Sequence, residues 1–144
     1  MRETSTIRAR LVIEMNKLII LFVCVHNAGR SQMAAAFTKQ LGGDRVEVLS
    51  AGTEPADQLN PQVVQAMNEL GLDLHSQVPR LLCADDVLMA DYVITMGCGD
   101  TCPFFPGKIY LDWKFDDPQG KSIDEVRSIR DAIKVQVSEL LASH

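Results

Sequence analysis

Cysteine is scarce in this chain, with four in 144 residues at irregular spacing. That is too few for a secreted disulfide scaffold and points to a reducing, cytoplasmic setting, where thiols fill the core or carry chemistry. Basic charge is also in deficit: 14 lysines and arginines face 19 aspartates and glutamates, a formal net charge of −5 at pH 7. Nucleic acid and anionic membrane are therefore excluded as main partners, since both are held by clustered positive charge. No apolar run is long enough to span a bilayer. The run at 18–25 leads into His26, Asn27 and Arg30 rather than into the small-residue cleavage site of a signal peptide. Repeats, low-complexity tracts and Pro/Gly/Ser linkers are missing too, which leaves a single domain. With 47% apolar residues, that domain can build a core without covalent staples.

What is present alternates. Residues 17–25 form a continuous Ile/Leu/Val/Phe run, as a parallel strand buried on both faces requires. The pattern predicts a helix over 31–41, stopped by Gly42-Gly43, and a second strand over 46–51. Asn60 and Pro61 mark the start of another helix, as N-cap and first helical residue, and Gly71 lies past its end. A short helix over 84–90 leads to a strand over 92–96, and "KIYLDW" gives a fourth strand. The last helix opens at Ser122 and Glu125, at capping-box spacing, and repeats its apolar residues near a 3.6 period. This order predicts an α/β fold: a four-stranded parallel sheet with helices on both faces, over residues 17–144. Residues 1–16 are expected to be an extension, a mobile arm or an expression remnant, because Met15 would itself make a start.

Ligands in such sheets bind beyond the carboxyl ends of the strands, where Cys24 falls. Five residues, Val25, His26, Asn27, Ala28 and Gly29, separate it from Arg30, and Ser31 follows at the head of a helix. A loop of this kind can curl its backbone N–H groups into a nest for an oxyanion, backed by the helix N-terminus. Gly29 permits backbone geometry that a side chain hinders, Asn27 can hold the loop in shape, and Arg30 can grip two oxyanion oxygens at once. The same nest favours a thiolate, and Ser31 can donate a hydrogen bond to it. The arrangement suits attack by sulfur on a tetrahedral oxyanion such as phosphate or arsenate. His26 reads as a solvent-facing loop residue.

"CVHNAGRSQMAAAF" resembles the phosphate-binding loop of the low-molecular-weight protein tyrosine phosphatase family, and is closest to its arsenate reductase branch. The likeness continues through "SAGTEP", "NPQVVQAMNELGLDL", "VITMGCGD" and "WKFDDP". It implies that Cys24 is the nucleophile, Arg30 the oxyanion clamp, Ser31 the thiolate stabiliser and Asp117 the general acid, with Asp116 beside it as the alternative. Family phosphatases follow their Asp-Pro with two aromatic residues; here Gln119 and Gly120 follow, so the wall for a phosphotyrosine ring is missing. Trp113 and Phe115 are the candidates to replace it, although both types are more often core.

The reductase reading also draws on Cys98 and Cys102, possible redox thiols in the loop after a strand, since arsenate reduction needs two electrons from thiols. One C-x3-C pair lacks the second ligand pair of a zinc site, and no metal or tightly bound cofactor is expected. Some family members bind potassium through an acidic residue where this chain has Ala35, so no potassium dependence is implied. The loop carries no second cysteine, and Cys98 and Cys102 are closely spaced. These features resemble members recycled by a small thiol and a glutaredoxin-like partner, mycothiol and mycoredoxin in one version, more than those served by thioredoxin. Cys83, beside two leucines, reads as a core thiol on a helix. The rival functions are a phosphatase with the same first step and a cysteine phosphocarrier or anion-binding module. Arg30 counts against the carrier, because an arginine that stabilises a transition state promotes turnover.

Overall fold

A computed structural model of the chain describes residues 17–97 and 104–144; the expected extension 1–16, Cys98 and Cys102 lie outside the described residues. The strands are β1 (Leu18–Cys24), β2 (Val46–Gly52), β3 (Tyr92–Thr95) and β4 (Ile109–Asp112). They form one parallel sheet, as the alternation predicts, and their order in it is β2-β1-β3-β4. The helices are α1 (Arg30–Gly42), α2 (Pro61–Asn68), α3 (Ala84–Met89) and α4 (Ile123–Ala142), with a 3-10 turn at Gly43–Arg45. Among the described residues no helix is long and apolar enough to cross a membrane.

β1 is central, and its side chains alternate between two cores. Ile20, Phe22 and Cys24 face the larger one, with Met33 and Phe37 of α1, Met67 of α2 and Ile133 of α4. Leu21 and Val23 face the smaller one, with Val87, Ala90 and Val93. A strand buried on both faces must be apolar at every position, which accounts for the unbroken run. The register sets Cys24 opposite Gly52 and Val23 opposite Thr95, so the exits of β1, β2 and β3 share one edge. The chain turns left of β1 to make β2 and right of it to make β3; a crevice opens at such a reversal.

The helix boundaries have local causes. Asn60 accepts from the Gln62 N–H at 2.9 Å and caps α2. That helix closes early: Gly71 has φ +76°, and the Leu72 and Gly71 N–H groups return to the carbonyls of Met67 and Asn68. Ser122 and Glu125 form the expected capping box on α4. Cys83 departs from its expected place in the core: it is exposed and stands at the N-cap of α3. The chain before it is drawn to the sheet, where Gly52 exchanges backbone hydrogen bonds with Arg80 and Leu82 at 2.9 Å, so the helix can start only at Ala84.

α4 is tied to α2 by charge. Buried Arg130 donates to the Ala66 carbonyl at 2.8 Å and to Glu69 at 2.9 Å, and Arg127 donates to the same carboxylate at 2.6 Å. Hydrogen bonds from Arg127 hold the Glu69 carboxyl below its ordinary 4.5, against the opposing effect of burial. A depressed carboxylate adds stability above its unfolded value and loses it as the pH falls through the lower folded value. Thermal melting between pH 6 and about pH 3 should therefore fall less steeply for Glu69→Gln than for the parent chain. Equal slopes would remove Glu69 from the acid response.

Candidate active site

The loop from Cys24 to Arg30 is shaped by what its carbonyls touch. Those of Cys24, Val25, His26 and Ala28 accept from the N–H groups of Thr53, Glu54, Ala56 and Asn60 at 2.8–3.2 Å. A loop whose carbonyls are drawn outward turns its N–H groups to the opposite side, as an anion nest requires. The segment after β2 is thus the outer wall of the loop, a role that sequence reading left unassigned. The Nδ1–H of His26 donates to the Glu54 carbonyl at 3.2 Å, which fastens the same wall.

Asn27 holds the inside. It is fully buried and has φ +50°, the left-handed conformation that asparagine tolerates better than most side chains. Its Oδ1 accepts from Gln32 Nε2 at 3.1 Å and from the Arg80 N–H at 3.0 Å, and its Nδ2 donates to Ser31 Oγ at 2.7 Å. Two N–H donors on one atom fix which end of the amide is oxygen. Ser31 Oγ accepts from Asn27 and lies 2.9 Å from Cys24 Sγ, where it is the donor once the sulfur is a thiolate. The Asn27 N–H also donates to that sulfur, at 3.2 Å. Cys24 is 2% exposed, so two fixed donors, rather than water, solvate the sulfur.

Arg30 is 8% exposed, a nearly buried cation. Its Nη1 donates to the Phe115 carbonyl at 3.2 Å, and its Nη2 stands 3.7 Å from Asp117 Oδ2. Gly97, with φ +97°, makes room for it: a Cβ there would strike the guanidinium. Asp117 is fixed by the Gln119 N–H, which donates to its other oxygen at 3.0 Å. Pro118 lies on the loop itself, so close that a Cβ on Gly29 would come within 2.6 Å of its ring. The glycine thus lets the segment holding Asp117 close over the nest.

The structure separates the two acids that sequence left open. Asp117 lines the cavity with Cys24 and Arg30, whereas Asp116 faces another depression with Gly97, Asp112, Lys114 and Phe115. The cavity over Cys24 measures about 750 Å³ and is bordered by His26, Leu59, Gln62, Gln119 and Lys121 as well. No phenyl or indole ring lines it among the described residues. Trp113 packs at 5.7 Å from Phe22 in the larger core, with Phe115 against it, so neither rebuilds an aromatic wall. Among the described residues no three His, Cys, Asp or Glu side chains gather to hold a metal.

Residues 19–144 match the low molecular weight phosphotyrosine protein phosphatase family. The chain belongs to that family. It is 39% identical to arsenate reductase 1 of Staphylococcus epidermidis, over 85% of this chain and 95% of that one. It is 41% identical to an arsenate reductase of Bacillus cereus, over 82% of this chain and 90% of that one. Among solved structures it is similar to the thioredoxin-dependent arsenate reductase of Corynebacterium glutamicum, with a TM-score of 0.80 and 40% identity, over 97% of this chain and 70% of that one.

If Asp117 is the proton donor that the family resemblance implies, the contact between Gly29 and Pro118 sets proton delivery apart from anion binding. Gly29→Ala should lower turnover by about a hundredfold, the scale of a lost general acid, while the dissociation constant for inorganic phosphate changes less than fivefold. Calorimetric titration beside a rate assay tests this; a matching loss of phosphate affinity would mean that the nest, not the acid segment, had been broken.

Proposed function

We infer that this chain is an arsenate reductase, with Cys24 as nucleophile. The observation that carries the reading is the sulfur held by Ser31 and Asn27 beside the buried Arg30, at the floor of a cavity that no phenyl or indole ring lines among the described residues. The arsenate reductases among its relatives support the choice of oxyanion.

In the proposed cycle arsenate enters the loop of residues 25–30 and is gripped by Arg30. The Cys24 thiolate attacks arsenic, an S–As bond forms, and an As–O bond breaks. Asp117 supplies the proton that lets the departing oxygen leave as water. A second thiolate then attacks Cys24 Sγ. The S–S bond forms as the S–As bond breaks, and the electron pair of that bond stays on arsenic. Arsenic(V) leaves as arsenite, two sulfurs have each given one electron, and a further thiol reduces the disulfide.

The second sulfur is a thiol of the protein or of a reductant, in keeping with the reducing cytoplasm that the cysteine content suggests. Thioredoxin as the final donor is supported by the neighbour from Corynebacterium glutamicum, with Cys98 or Cys102 as the relay thiol. A small thiol such as mycothiol, recycled by mycoredoxin, is the second reading; the volume of the cavity over Cys24, about 750 Å³, supports it, since it leaves room for a small molecule beside the nest.

Mixing the fully reduced protein with arsenate, without oxygen or added thiol, tests both. Near-stoichiometric arsenite, lost in Cys98→Ser or Cys102→Ser, is the expected result and assigns the internal relay. Arsenite that appears only on adding mycothiol assigns the small-thiol route. If neither condition releases arsenite while aryl phosphates are hydrolysed, the phosphatase reading replaces this one. Cys24→Ser should abolish arsenite formation, and Asp117→Asn should lower it by roughly 10²–10³-fold.

A further inference from the structure

Behind the nest, away from the cavity, lies a second polar cluster that the reaction does not touch. Arg80 ends the irregular stretch that follows α2, and four of its groups are engaged. Its N–H donates to Asn27 Oδ1 at 3.0 Å, and its carbonyl accepts from the Gly52 N–H at 2.9 Å. Its Nη1 donates to the Ser50 carbonyl at 2.8 Å, and its Nη2 pairs with Asp86 Oδ1. Asp86 is 5% exposed and accepts on its other oxygen from the Cys83 N–H at 3.0 Å. Burial pushes this carboxyl up, yet hydrogen bonds from Arg80 and Cys83 outweigh it and hold the group below its ordinary 3.8.

The cluster joins α3, the end of β2 and the loop in one line: Asp86 to Arg80, Arg80 to Asn27, Asn27 to Ser31, Ser31 to Cys24. Every link is a hydrogen bond or ion pair with one geometry. The stretch before Arg80 is largely exposed, with Val78 at 68%, so packing does little to fix where the Arg80 N–H lies. The bridge to Gly52 holds the chain on the carbonyl side of Arg80, and the side chain fixes the N–H side, by reaching Ser50 on one side and Asp86 on the other. Without that side chain the peptide could pivot on the Gly52 bridge and carry the N–H away from Asn27 Oδ1. The amide could then turn, Ser31 would lose the donor that aims its hydroxyl, and the sulfur would lose the hydrogen bond that favours the thiolate.

We propose that Arg80, anchored by Asp86, is a positioning residue for the Cys24 thiolate, acting through Asn27 and Ser31. The inference rests on Cys24 being the nucleophile but not on arsenate as substrate, so its test avoids arsenate altogether. The rate of alkylation of Cys24 by iodoacetamide would be followed by mass measurement of the peptide that contains it, which excludes signal from the other thiols. At about pH 6, Arg80→Met should slow this reaction about tenfold, as loss of one hydrogen bond to a charged sulfur implies. At about pH 10, where thiols ionise whatever their surroundings, variant and parent should react alike.

Arg80→Lys should recover part of the rate, since an ammonium can still reach the Ser50 carbonyl or Asp86. Asp86→Asn, a change of the same shape, should slow the reaction in the same direction, and the double variant no further than Arg80→Met alone. The other charged groups on the Cys24 side, His26 on the loop, Arg30 of α1 and Asp117 and Lys121 across the cavity, are unchanged in all of these. A faster reaction at both pH values would mean that Cys24 had merely become accessible, and would overturn the proposal. So would an unchanged rate at about pH 6, or slowing by the two substitutions that multiplies in the double variant.

Discussion

The site depends on one buried amide. Asn27 sits in a backbone conformation that costs most residues on the order of 1 kcal/mol, and its side chain makes three hydrogen bonds that no shorter or apolar residue could replace. Those bonds run to the first turn of α1, through Ser31 and Gln32, and to the stretch before α3, through Arg80. The nest is therefore not a property of the five loop residues alone. It is what remains when a strand exit, a helix start and a distant loop are tied to the same amide. The N–H groups of Thr53, Glu54, Ala56 and Asn60, which hold the loop's carbonyls, complete the shape from outside.

Much of this was legible in the sequence because it is written locally. The apolar run of β1, the caps at Asn60 and Ser122, and Gly71 beyond α2 each act within a few residues of themselves. So does the C-x5-R-S spacing, which puts sulfur, guanidinium and hydroxyl at one strand-to-helix corner whatever the rest of the chain does. What could not be read is set by pairs far apart. The wall needs the register of Cys24 with Gly52, and Arg80 meets Asn27 across 53 positions. Pro118 reaches Gly29 only when the last loop folds back. Cys83 was misread for the same reason: its leucine neighbours suggest a core, but a bridge from Leu81 to Gly52 turns that stretch along the sheet edge and leaves the thiol outside. Asp116 and Asp117 are equivalent in a string of letters and line different depressions in the fold.

Arg30 shows how burial tunes the nest for its ligand. A guanidinium this enclosed is costly without partners, and the two it has are incomplete. The Phe115 carbonyl accepts one hydrogen bond, and Asp117, at 3.7 Å, is an ion-pair partner beyond good hydrogen-bond range. An incoming oxyanion supplies the bidentate acceptor that the planar fork is shaped for. Because Asp117 borders the same spot, an anion bound there lies beneath its carboxyl. Under the proposed cycle, affinity and proton delivery would be built from the same neighbours, with Gly29 and Pro118 placing them on separate contacts.

The nest cannot by itself distinguish arsenate from phosphate, which share charge and tetrahedral form. Both would be gripped by the same N–H groups and attacked by the same sulfur. The division comes one step later, and it is chemical. Arsenic(V) bonded to sulfur can accept the electron pair of that bond when a second thiolate attacks, whereas phosphorus(V) keeps its oxidation state and leaves only when water arrives. What the protein contributes is access to Cys24 Sγ from the cavity side, through a mouth of glutamines, Leu59 and Lys121, with no phenyl or indole ring among the described residues. Such a mouth gives an aryl phosphate no stacking surface and leaves a second thiol room to approach. Specificity for reduction is thereby placed at the rim, while the floor of sulfur, guanidinium and hydroxyl suits either oxyanion.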